Sequence, residues 1–170
     1  MKARFEELYR RYKDVVYNYL YYMCREEELA GDLAQEAFLK IFLGMRRFRG
    51  ECSEKTWCLT VARNTFLSWA RRKRPLLLGD ELPAEQGEMW ENPPEDQVIR
   101  KEECDLVRKV LSMLNEEERT LLLFRDCEGM AYEELAALFG ITEGNAKVRL
   151  HRIRKKYRRL YLRESGQMEE

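Results

Sequence analysis

The sequence predicts an all-α protein: two small helical domains joined by a flexible acidic linker, the second containing a helix-turn-helix. Three observations predict it. Apolar residues recur at three- and four-residue steps through nearly the whole chain, while strand alternation and hairpin dipeptides are missing. Residues 75–97 break that pattern, with Pro75, Gly79, Pro83, Gly87, Pro93 and Pro94 scattered through acids. Residues 129–160, GMAYEELAALFGITEGNAKVRLHRIRKKYRRL, read as a short helix, a glycine stop and a longer basic helix. The expected division is 1–74, a linker over 75–97, and 98–170. Each folded half holds roughly 65–75 residues, a size that buries only a limited core.

The first helix is expected over Phe5–Arg25, where Phe5, Leu8, Tyr12, Val15, Val16, Tyr19 and Tyr22 share a face. The second spans Glu28–Met45, with Leu33, Ala37, Ile41 and Met45 as its core stripe. Arg46–Ser53 is a loop containing Gly50. The third helix spans Glu54–Lys73; Ser53 offers an N-cap, and Pro75 enforces the end because the residue before a proline is pushed out of helical geometry. At full extension the linker reaches about 70 Å. Two lobes so joined can sit about two turns of DNA apart, one turn being about 34 Å.

Helical pattern resumes over Gln97–Leu114. Asn115-Glu116-Glu117-Glu118 caps a further helix, Glu117–Cys127, with acids where the helix dipole favours them. Ala131–Phe139 is the first helix of the helix-turn-helix, and Gly140 permits the left-handed stop. Thr142 is placed to cap the second helix, which begins near Glu143. Its buried stripe is Ala146, Leu150, Ile153 and Tyr157.

The formal net charge is zero, but charge is segregated. Residues 80–105 hold ten acids against Arg100 and Lys101, whereas residues 147–163 hold nine Lys and Arg and no acid. Such separation makes basic surfaces on a neutral chain. A helix that is apolar inside and cationic outside suits the DNA major groove; the same pattern also describes a solvated helical hairpin. No apolar run approaches the roughly 20 residues of a membrane span, and no signal peptide is evident, so a cytoplasmic protein without membrane insertion is expected. With the sequence ending at Glu170, no added regulatory domain is expected. Cys24, Cys52, Cys58, Cys104 and Cys127 form no C-x-x-C pair, which argues for reduced thiols and against zinc. His151 is the only histidine, and no nucleophile–base set, P-loop or metal cluster appears. Neither an enzyme nor a cofactor is expected.

Two faces of the first half carry chemistry. Asp32, Gln35, Glu36 and Leu39 lie at i, i+3, i+4 and i+7, off the core stripe. An acidic face with a leucine suits docking to a partner; it equally suits a solvated face with one stray apolar residue. The third helix sets Trp57, Phe66 and Trp69 beside Arg63, Asn64, Arg71, Arg72, Lys73 and Arg74. Aromatics among cations suit single-stranded DNA, whose bases stack while its phosphates pair. The other reading makes the tryptophans core and the arginines a helix end.

Taken together and in order, these segments resemble bacterial sigma factors of the extracytoplasmic-function group. DLAQEAFLKIF is similar to the region 2 helix that binds the clamp helices of RNA polymerase. FRGECSEKTWCLTVARNTFLSWARR is similar to the segment that recognises and melts the minus-ten element. LNEEERTLLLFRDCEGMAYEELAALFGITEGNAKVRLHRIRKKY is similar to region 4, which reads the minus-thirty-five element. The resemblance implies that Asp32, Gln35, Glu36 and Leu39 face core polymerase. It implies that the loop Arg49–Lys55 covers a flipped base with Asn64 in its pocket, and that Arg63, Arg71 and Arg72 hold phosphates. The implied minus-ten set is thus Arg49, Ser53, Lys55, Trp57, Arg63, Asn64, Arg71 and Arg72. The implied minus-thirty-five set is Thr142, Asn145, Lys147, Val148, Arg149, His151, Arg152, Arg154 and Lys155. Of these, Lys147, Val148 and His151 approach base edges, while Arg149, Arg152 and Arg154 mainly meet backbone. Core RNA polymerase, promoter DNA and an anti-sigma factor are the implied partners. The sequence departs from the family at Cys52, usually serine, and at Glu54, usually apolar. It departs again at Asn145-Ala146-Lys147-Val148, usually Thr-Val-Lys-Ser, and at Asn115, often proline. The rival is a helix-turn-helix transcription regulator that is not a polymerase subunit and has no use for the Asp32–Leu39 face.

Overall fold

The computed structural model describes residues 1–73 and 95–167, all helix, turn and loop, within two compact units. The expected linker lies outside the described residues up to position 94. Residues 95–97, read above as linker, are already helical.

The first unit is three mutually packed helices: α1 (Lys2–Cys24), α2 (Glu27–Gly44) and α3 (Glu54–Lys73). Its core holds Val16, Leu20 and Met23 of α1, Leu33, Ala37 and Ile41 of the α2 stripe, and Cys58, Leu59 and Ala62 of α3, all buried. The α2 stripe, Met45 included, is buried as its spacing assigned, and of the α1 face Leu8, Val16 and Tyr19 are buried while Phe5, Tyr12, Val15 and Tyr22 are half-buried. Ser53 Oγ accepts the Thr56 N–H at 3.0 Å, which satisfies a donor that a helix start leaves unpaired. Glu54, an acid at a usually apolar position, reaches α1, lying 3.3 Å from Arg4 and 3.8 Å from Arg11.

The second unit comprises α4 (Glu95–Ser112), α5 (Glu116–Leu122), α6 (Tyr132–Phe139) and α7 (Glu143–Glu164). α5 continues into a π-helical turn, Leu123–Cys127. The Asn115 carboxamide accepts the Glu118 N–H at 2.8 Å, and the Glu118 carboxylate accepts the Asn115 N–H at 3.1 Å, closing a capping box. Arg119 is buried, at 6% exposure. Its guanidinium donates to the Leu111 and Leu114 carbonyls at 2.9 Å each and to Ser112 at 3.4 Å, capping the end of α4. Val110, Leu121, Phe124, Leu135 and Leu150 fill the core beneath.

Candidate functional site

The helix-turn-helix is built by two caps. Gly140 sits in the left-handed region at φ 63°, and the following Ile141 N–H donates to the Ala136 carbonyl at 3.0 Å. That stops α6. Thr142 Oγ1 then accepts the Asn145 N–H at 3.1 Å and starts α7. Ala146, Leu150 and Ile153 are buried, as the stripe predicted, and Tyr157 is half-buried. The opposite side carries Val148, half exposed at 50%, with His151, Arg152, Lys155, Arg158 and Arg159, all exposed.

The two flanks between these sides are occupied. On one, Arg149 pairs with Glu117 and donates from Nε to the Asn145 carboxamide at 3.0 Å; Lys156 meets both Glu118 oxygens at 2.7 and 3.0 Å. On the other, Arg154 makes a two-point pair with Asp126, with Nε 3.0 Å from Oδ2. That hydrogen bond holds the Arg154 guanidinium above its ordinary pKa. Lys147 rests 5.3 Å from the Tyr132 ring centroid, and the Arg125 guanidinium stands 4.3 Å from the same ring. Arg163 lies 3.2 Å from Glu164. Arg149 and Arg154, expected against DNA backbone, therefore meet acids of their own domain. Sequence spacing gave no sign of this, because the acids come from α5 and its extension, some thirty positions away along the chain.

In the first unit Asp32 and Gln35 are exposed and Leu39 is 59% exposed. Leu43, at 67%, extends the same face, and sequence reading missed it. Its signal was the four-residue step from Leu39, hidden inside an apolar run that otherwise belongs to the core. Glu36 is half-buried, paired with Lys40 at 2.7 Å and approached by Arg72 at 3.8 Å.

On α3, Asn64, Arg71 and Arg72 are exposed and Arg63 is half-buried. Arg71 donates to Ser68 Oγ at 3.4 Å. Arg49 and Ser53 are exposed in the preceding loop, and Lys55 is half-buried. Phe66 is buried, and Trp69 packs on it with ring centroids 5.9 Å apart. Trp57 is half-buried: it stacks on Phe48 at 4.6 Å, and a Cβ added to Gly44 would stand 3.1 Å from its ring. The packing reading thus describes Phe66, the half-buried Trp69 that lies on it, and one side of Trp57. The cations and Asn64 remain on the outer side.

Among the described residues no helix is long and apolar enough to cross a membrane, and no three His, Cys, Asp or Glu gather as a metal site. The five cysteines are free thiols, and burial pushes Cys58 up to about 12.

Residues 8–75 match the family model of sigma-70 region 2, and residues 104–156 that of sigma-70 region 4. The RNA polymerase sigma factor YlaC of Bacillus subtilis is 32% identical over 151 residues, covering 88% of this chain and 87% of its own. The ECF RNA polymerase sigma factor SigM of the same organism is 28% identical over 159 residues, covering 93% and 95%. Among solved structures, the sigma factor RpoE from Bartonella quintana, crystallised with the anti-sigma factor NepR, superposes with a TM-score of 0.70. That likeness, at 21% identity over 92% of this chain and 96% of the other, concerns the fold. The chain belongs to the extracytoplasmic-function group of sigma-70 factors, the polymerase-binding subunits that direct transcription to particular promoters.

Proposed function

We propose that promoter reading is split between the two units, with polymerase docking carried by α2. The observation that supports this best is the outward strip of α7, a row of cations flanked by Val148 and His151 on a capped helix-turn-helix. Laid in duplex major groove, Lys147, Val148 and His151 approach base edges of the minus-thirty-five element. Thr142, Asn145, Arg152 and Lys155 position the helix on backbone, the division of labour usual in protein–DNA contacts. Arg149 and Arg154 border this surface.

In the first unit, Asn64 takes part in the pocket for an extruded minus-ten base beneath the Arg49–Lys55 loop. Ser53 fixes the start of α3, Trp57 backs the loop through Phe48, and Arg63, Arg71 and Arg72 hold phosphates. Unstacking a base costs a few kcal/mol, offset by contacts in the pocket. Asp32, Gln35, Glu36, Leu39 and Leu43 form the polymerase-docking face. The domains are 1–74 and, from the start of α4, 95–170, and the residues between them are a linker that leaves the geometry of the two lobes to core polymerase. The chain works in the cytoplasm and catalyses no reaction of its own. An anti-sigma factor covers one or more of these faces; the pairing of the Bartonella sigma factor RpoE with NepR supports that reading.

The test is reconstitution of the full chain with core polymerase, followed by start mapping on genomic DNA. Specific starts are expected; their absence sinks the proposal. Lys147→Ala or His151→Ala should weaken minus-thirty-five discrimination by about 1–3 kcal/mol per lost base contact. A changed minus-ten preference in Lys147→Ala would instead overturn the assignment of α7.

A further inference from the structure

About 100° separates successive residues around a helix. On α7 this places Ala146, Leu150 and Ile153 at the buried centre. Arg149 and Lys156 fall on one flank, Lys147 and Arg154 on the other. A single element answers both flanks: α5 brings Glu117 and Glu118 to the first, and its π-helical extension brings Asp126 to the second. A π turn winds the chain wider than an α turn, and here it carries Asp126 while Phe124 stays in the core. These pairs are about one-third to one-half exposed, and pairs so exposed contribute little to stability. Their other effect is on charge. Each carboxylate cancels a cation at the edge of the DNA-facing strip and repels any phosphate that approaches there.

We propose that Glu117 and Asp126 are specificity-determining positioning residues, which neutralise Arg149 and Arg154 and so leave DNA contact to the start of α7, Lys147 included, and to the outward strip from Val148 to Arg159. This rests on the reading of α7 as the groove-facing helix. Phosphate neutralisation provides affinity without sequence information, so each cation withdrawn from the edge lowers random-DNA binding more than promoter binding. The nine basic residues of positions 147–163 therefore overstate the charge that DNA meets.

The experiment is salt titration of the full-length chain against a random-sequence duplex. Each phosphate contact adds about 0.9 to the slope of log K against log salt. Asp126→Asn is expected to steepen the slope by about 0.9 and to tighten low-salt binding several-fold. Adding Arg154→Ala should return it to the wild-type slope. Arg154→Ala alone should leave the slope as it is. In the polymerase holoenzyme, Asp126→Asn and Glu117→Gln should each lower the ratio of binding to a mapped promoter over the same promoter with a scrambled minus-thirty-five element. A merely structural role would change the active fraction, which the slope does not report. An unchanged slope in Asp126→Asn, or a loss of about 0.9 in Arg154→Ala alone, overturns the proposal. Arg158→Ala separates the two levels: it should lower the slope by about 0.9, and if it does not, the assignment of α7 fails and takes this inference with it.

Discussion

Replacing Leu39 and Leu43 together by alanine tests the docking face where the structure makes it most quantitative. Both side chains project from α2 largely into solvent, at 59% and 67% exposure, so little of their burial energy is spent in the free chain. Full burial of a leucine is worth about 1.5–3 kcal/mol. With roughly three-fifths of each still to be buried, docking gains about 1–2 kcal/mol per leucine on that scale. Allowing for the Cβ that alanine retains, the double substitution should cost about 2–3 kcal/mol, or about 30- to 150-fold in affinity. The measurement is titration of fluorescently labelled full chain with core polymerase. The control is intrinsic to the geometry: exposed positions change stability by less than about 0.5 kcal/mol, so the unfolding midpoint should stay put while affinity falls. Affinity within twofold of wild type would refute the reasoning and return Leu39 and Leu43 to the status of exposed leucines without a partner.

Arg119→Leu keeps the apolar stem but removes the donors to Leu111 and Leu114. With charged hydrogen bonds worth about 1.5–3 kcal/mol each, the second unit should lose about 3–5 kcal/mol, seen as at least a hundredfold loss of amide protection across α4 and α5 in the full chain; a loss under about 1 kcal/mol contradicts the capping role. Cys58 ionises near 9 when unfolded and near 12 when folded, because burial disfavours the thiolate. Its contribution to stability is therefore complete below pH 9 and is lost as pH rises through the window from 9 to 12. At pH 8, mass spectrometry after alkylation should find Cys58 unmodified while the exposed Cys104 reacts.

Local signals carried the fold a long way. α3 runs from Glu54 to Lys73 as its cap and Pro75 require, and the other expected helix ends fall within three residues of their places except that of α5, which stops at Leu122 and continues to Cys127 as a π turn. The exposed face of α2 and the buried stripe of α7 follow from the same 3.6-residue period. The π turn was not legible in any local signal; Phe124 and Met130 are both buried beside it, and the Met130 N–H donates to the Phe124 carbonyl at 2.9 Å. Arg119 was not legible either: an arginine in an acidic helix start reads as surface until a neighbouring helix ends against it. Trp57 shows the opposite limit. Its place on one helix with Asn64 and the arginines was visible, but Phe48, which covers one side of its ring, belongs to a loop with no period to read.

The same distinction governs how charge should be interpreted. A run of cations in sequence measures what a helix carries, whereas DNA meets only what the rest of the domain leaves uncancelled. On α7 the cancelling acids sit thirty or so positions earlier, in a helix start that their own propensity and dipole already explain and in the turn that extends it. Glu117 and Glu118 thus serve twice, as first-turn acids of α5 and as partners of Arg149 and Lys156. Lys155, Arg158 and Arg159 meet no such acid among the described residues, and they lie on the side opposite the buried stripe. The distribution of free charge on α7 therefore follows from its neighbour: α5 and the turn that extends it meet both edges of the helix and leave the outward cations available to a phosphate.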